Sequence, residues 1–216
     1  MSQDRQLQNA VRAELDWEPS IDAARIGVAA DAGVVTLSGH VANYAQKQAA
    51  ETAARRVKGV KAVAEEIQVR LPFDVRRTDD EIAAAAVHRL AWDVLIPKDA
   101  IKVKVENGWM TLSGEVAWNY QKEAATQDMR SLYGVVGVSN DLNIKQKINI
   151  SNISDDITHA LHRSWYFDPA DITVHAKDGK VTLTGTVHSP HDRQLAAATA
   201  WSAPGVTDVE NELRVV

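Results

Sequence analysis

The strongest constraint on this chain is that it repeats itself. Gly33-Val-Val-Thr-Leu-Ser-Gly39-His-Val41 returns as Gly108-Trp-Met-Thr-Leu-Ser-Gly114-Glu-Val116 and again as Gly179-Lys-Val-Thr-Leu-Thr-Gly185-Thr-Val187, at offsets of 75 and 71 residues. Twenty residues past the second glycine of each stands a Gly-Val pair (Gly59-Val60, Gly134-Val135, Gly205-Val206), and eight further on Ile67, Leu142 and Leu213. Self-similarity at a fixed period means one supersecondary unit used three times. Constant spacing predicts a helix of fixed length between the second glycine and the Gly-Val pair.

Each unit reads in the same order. Leu7, Val11 and Leu15, then Ile82, Ala86 and Leu90, then Ile157, Leu161 and Trp165 fall four apart, the stripe of an amphipathic helix. Asp4, Asp79 and Ser154 stand three residues ahead as N-cap candidates, and Thr78-Asp79-Asp80-Glu81 fits a capping box. An aromatic follows each stripe: Trp17, Trp92 and Phe167. Two strands of period two come next, joined at Ala32-Gly33, Asn107-Gly108 and Asp178-Gly179, where tolerance of positive φ suits a tight hairpin. On the returning strand Gly39, Gly114 and Gly185 share the inner parity with Leu37, Leu112 and Leu183, and are expected to let a helix approach the sheet. The second helix starts near Asn43 or Ser189-Pro190, with an alanine-rich inner face (Ala49, Ala50, Ala53, Ala54; Ala124, Ala125, Met129; Leu195, Ala196, Ala200), and a last strand carries Val63, Ile67 and Val69, Val138, Leu142 and Ile144, or Val209, Leu213 and Val215. The prediction is an α+β chain of three tandem α-β-β-α-β domains, at 1–71, 77–146 and 152–216. In each, two helices pack on one face of a three-stranded sheet. Units this small bury only about 60% of their unfolded surface, so contacts between copies, or a homo-oligomer, are among the expectations.

Several chemistries are excluded at this level. The chain has no cysteine, which removes disulfides, thiolate nucleophiles and Cys-ligated zinc. A net charge of −5 is the wrong sign for a general nucleic-acid binder. No run of some eighteen apolar residues marks a transmembrane segment, and the start, Met1-Ser2-Gln3-Asp4, lacks an apolar stretch, so the chain reads as cytoplasmic. No GxGxxG or Walker spacing accompanies the glycines, and no catalytic constellation recurs, so neither an enzyme nor a cofactor is expected.

The repeated pattern, a G-x-[VM]-T-L-[ST]-G-x-V strand, a helix, then G-V-x-x-V-x-[NE]-[DE]-[LI], resembles the BON domain, a module of bacterial envelope, osmotic-stress and nodulation proteins. The first copy departs from it in having Glu65 where the others have Asn140 and Asn211. The resemblance implies an α/β module without known catalysis that binds phospholipid surfaces or mediates protein contacts, ordinarily in the periplasm. A potassium-binding member of the wider family makes an ion-sensing role the further alternative.

Because the copies share a core but not their polar surfaces, candidate sites are private to single copies. Lys47, Arg55, Arg56, Lys58 and Lys61 cluster on and after the second helix of the first copy and are the candidates for contact with anionic lipid. The three copies carry net charges of −1, 0 and −4, so the third is expected to avoid such a surface. Trp109, Trp118, Tyr120 and Trp201 are the partner-binding candidates, since large aromatics stand there at positions that are mostly polar in the other copies. His159 and His162 lie three apart on one helix and His188 and His191 flank the start of another, but nothing in the sequence brings the four rings together, and no metal is expected. The amides of Asn140 and Asn211 are expected to satisfy a strand-end turn or bulge.

Overall fold

A computed structural model describes residues 3–73, 76–145, 152–164 and 171–215. Trp165, the last position of the third stripe, and Phe167, the aromatic that follows it, lie outside the described residues. The order is α1 (Gln3–Trp17), β1 (Ile26–Asp31), β2 (Val34–Val41), α2 (Tyr44–Arg56), β3 (Ala62–Val69); α3 (Asp79–Trp92), β4 (Ile101–Glu106), β5 (Trp109–Val116), α4 (Asn119–Arg130), β6 (Gly137–Ile144); α5 (Ile153–His162), β7 (Ile172–Lys177), β8 (Lys180–Val187), α6 (Pro190–Trp201), β9 (Asp208–Asn211) and β10 (Arg214–Val215). The α-β-β-α-β unit is thus present three times. Two compact units are formed, one from 1–89, 103–111 and 127–139, the other from 90–102, 112–126 and 140–216.

In the first copy β2 is central, antiparallel to β1 and parallel to β3, as the helical crossover through α2 requires. Val11 and Leu15 of α1, Ala50, Ala53 and Ala54 of α2, and Val28, Val35, Leu37 and Ile67 of the sheet form one buried core. The alanines let α2 lie close to the strands. The third copy repeats this with Ile157 and Leu161, Ala196 and Ala200, and Val174, Val181, Leu183 and Leu213. Its last strand is split into β9 and β10, both on β8, with Glu212 N bonding Leu183 O between them. Val215, placed on the inner face by parity, is exposed there. The middle sheet keeps the order β4-β5-β6.

Local rules account for the boundaries. The hairpin turns put both central residues at positive φ: Ala32 49° and Gly33 90°, Asn107 51° and Gly108 76°, Asp178 51° and Gly179 81°. Asn43 and Ser189 cap α2 and α6, accepting the amides of Gln46 (2.9 Å) and Asp192 (3.1 Å). The capping box of α3 is formed: Thr78 Oγ1 accepts Glu81 N (3.3 Å), and Glu81 Oε2 accepts Thr78 N (2.8 Å).

Two expectations are corrected. Asp4, Asp79 and Ser154 do not act as N-caps. Asp4 and Asp79 lie inside the first turn of their helices and reach across to the hairpin turn, Asp4 accepting Ala32 N (2.9 Å) and Asp79 accepting Asn107 N (2.8 Å) and Gly108 N (2.9 Å). Ser154 instead donates to Val174 O (2.7 Å). The strand glycines, likewise, do not make room for a helix. Gly39, Gly114 and Gly185 hold φ of 114°, 134° and 125°, and a Cβ on each would overlap the carbonyl oxygen of Arg25, Ala100 or Asp171 at the entry of the neighbouring strand.

Candidate interaction surfaces

The polar position shared by all copies is a latch between the second helix and the last strand. Residue 47 of the first copy corresponds to 122 and 193, and residue 65 to 140 and 211. Lys47 Nζ and Lys122 Nζ donate to Ile67 O and Leu142 O, both at 2.9 Å, and Arg193 Nη2 to Asn211 O at 2.8 Å. From the strand, Glu65, Asn140 and Asn211 each accept the amide two residues ahead, at 2.8, 3.0 and 3.2 Å. Asn140 and Asn211 also donate to the carbonyls of Lys122 (3.0 Å) and Arg193 (2.8 Å). Glu65 cannot donate; it pairs with Lys47 Nζ at 2.9 Å instead. The departure from the repeated asparagine is therefore a charge-for-amide exchange, and the position is structural.

The latch bears on the basic cluster. Lys47, with 21% of its side chain exposed, is committed to Glu65 and Ile67. Arg55 pairs with Glu51 (2.6 Å), and Arg56 with Glu14 (3.1 Å) and Glu18 (3.3 Å). Lys58 and Lys61 are exposed. The Glu18 carboxyl is held below the ordinary carboxylate range chiefly by hydrogen bonds from Ser20, with Arg56 adding to it. The two ion pairs of Arg56 place its guanidinium at the C-terminal end of α1.

The four candidate aromatics separate. Trp109 is half exposed on the helix-free face of β5, its ring covering Gly137 and its Nε1 donating to Ser139 Oγ (2.9 Å). Trp118, Tyr120 and Trp201 line a single groove. Trp118 occupies the capping position of α4 without an acceptor side chain; Gln121 Oε1 reaches back to Ala117 N (2.9 Å) and Trp118 N (3.1 Å).

Sequence reasoning noted Trp17 and Trp92 as punctuation and missed them as surface. Trp17 is 83% and Trp92 75% exposed, and Trp92 is followed by Val94, 97% exposed, and Leu95. The available signal was their recurrence 75 residues apart, off the buried stripe. Among the described residues no three His, Asp or Glu groups come together to hold a metal, and no helix is long and apolar enough to cross a membrane.

Fold and surface together define a class, a small open-faced α+β module repeated in tandem. The BON domain family model matches residues 3–70, 78–146 and 149–216, and the chain belongs to that family. It is 33% identical over 146 residues to osmotically-inducible protein Y of Escherichia coli (strain K12), covering 62% of this chain and 69% of that protein. It is 46% identical over 46 residues to an uncharacterized protein in the gshII 5' region of Anaplasma centrale, covering 21% of this chain and 30% of that one. Among solved structures, two of CdsD, a structural protein of the type III secretion system of Chlamydia trachomatis, align over 98% and 100% of this chain and 92% and 100% of theirs, at 16% identity and a TM-score of 0.27. That score is too low to argue a shared fold.

Proposed function

We propose that this chain is a non-enzymatic, stress-related BON protein that docks on a phospholipid surface through the apolar tips after its first helices. The observation that carries the reading is the exposure of Trp92 at the end of α3 and of Val94 and Leu95 in the loop after it, with Trp17 exposed at the equivalent point of the first copy. Tryptophan favours the level of lipid headgroups, where its ring is buried and its N–H stays wet. Partial burial of three such side chains contributes about 5 kcal/mol, roughly a sub-millimolar affinity. Arg56, paired with Glu14 and Glu18, sits at the Trp17 end of α1, so headgroup phosphates add to apolar insertion there while those acids reduce the electrostatic share; Lys61 lies at the Ala32-Gly33 turn, at the other end of that helix. The likeness to osmotically-inducible protein Y supports the stress setting.

Vesicle flotation tests this. Wild type should be recovered with anionic vesicles and, less completely, with neutral ones. The double variant Trp92→Ser, Val94→Ser should lose most of that recovery while keeping its melting temperature. No recovery with either vesicle, or undiminished recovery of the variant, would reject lipid docking in favour of a protein-interaction scaffold.

A further inference from the structure

We infer that the groove between the first turn of α4 and α6 is a binding site for a small quaternary ammonium ion. The groove is open, encloses about 1060 Å³, and is lined by residues of the second compact unit: Trp118 and Tyr120 at the start of α4, Glu123 one turn on, and Ala197, Ala198 and Trp201 from one face of α6. Three aromatic rings with one carboxylate form the chemistry of a cation box. Ring faces attract a cation through their quadrupole, and a tetra-alkylated nitrogen gives up its water more readily than a primary ammonium. Glu123 is the one charged group among the described lining residues. The two alanines leave space between the walls.

Comparison among the copies shows that these residues are not demanded by the fold. Trp118 replaces Asn43 and Ser189, both of which cap their helices, so the second copy forgoes a side-chain cap at that position. Tyr120 stands where the others have Ala45 and His191, Glu123 where they have Gln48 and Gln194, and Trp201 where they have Arg55 and Arg130. An anion at this helix start is disfavoured, because Glu123 lines the groove one turn on and no basic side chain is among its described lining residues.

The test uses the whole chain, with tetramethylammonium and choline chlorides as probes, sodium chloride at equal ionic strength as the salt control, and the neutral isostere of choline in which carbon replaces nitrogen as the shape control. Indole N–H resonances are followed by NMR. Both cations should shift the Trp118 and Trp201 signals saturably in the millimolar range, and the neutral isostere should bind about tenfold more weakly. Tyr120→Ala and Glu123→Gln should each weaken the cations by at least about fivefold. Tyr120 is half exposed and Glu123 is exposed, so both variants should fold, which an unchanged melting temperature verifies. Absence of saturable shifts, equal binding of the neutral isostere, or wild-type affinity in both variants would overturn the assignment.

Discussion

Single residues carry the local cost of this design, and three of them give separable expectations. Gly39 combines φ of 114° with a backbone carbonyl where a Cβ would sit, so Gly39→Ala should destabilise the first copy by about 3 kcal/mol. Ala32 has φ of 49° where the other hairpins use Asn107 and Asp178, residue types that tolerate the left-handed region. Ala32→Asn should therefore stabilise by about 1 kcal/mol, with denaturant titration as the check. Trp118→Asn would restore the acceptor that Asn43 and Ser189 provide, and should raise stability by about 1 kcal/mol while abolishing the aromatic wall of the groove. A stabilising substitution at a conspicuous tryptophan would mark that residue as kept for something other than folding. The glycines show why sequence reading reached the right positions for the wrong reason. Parity placed them correctly, but the colliding group belongs to the strand next door, and strand pairing is long-range information that a local pattern does not contain.

At the scale of elements, the helices were the more legible. The four-residue stripes of the first two copies, the caps at Asn43 and Ser189 and the box at Thr78 depend on neighbours within a few positions, and the folded chain forms them. What Asp4 and Asp79 do depends on a hairpin 28 residues away, which spacing cannot reveal. The Thr78–Glu81 box gives a pH test. The Glu81 carboxyl is held below its usual value of 4.5, first by the backbone hydrogen bond from Thr78 and then by that residue's hydroxyl. A carboxyl depressed on folding adds stability above its unfolded value and loses it as pH falls through its folded value. Wild type should thus lose stability as pH drops below about 4.5, and Glu81→Gln should flatten that part of the profile for α3. An identical acid limb in both proteins would show that the box contributes nothing there. The latch carries the same lesson. Glu65 looked like a departure from pattern, and only the position of Lys47 across the α2–β3 gap shows the two versions to be interchangeable.

Across the whole chain, the repeat made the architecture readable from sequence, because three copies of one core pattern leave few alternatives. The surfaces were less readable. Charge counting singled out Lys47, Arg55 and Arg56, yet each is held by an acid of its own copy, which composition cannot show. The aromatics at Trp17 and Trp92 recur with the fold and were grouped with it, although their side chains face water. Trp17 and Trp92 share a repeated position that stays exposed, and the second copy adds Val94 and Leu95 where the first has Pro19 and Ser20. Because the chain contains no cysteine, a single Val94→Cys substitution can carry an environment-sensitive fluorophore at a unique site, with Glu115→Cys on the open sheet face as its control. On addition of phospholipid vesicles, docking through the α3–β4 loop predicts a blue-shifted, brighter probe at position 94 and an unchanged one at 115. An unchanged probe at 94, or equal responses at both positions, would contradict it.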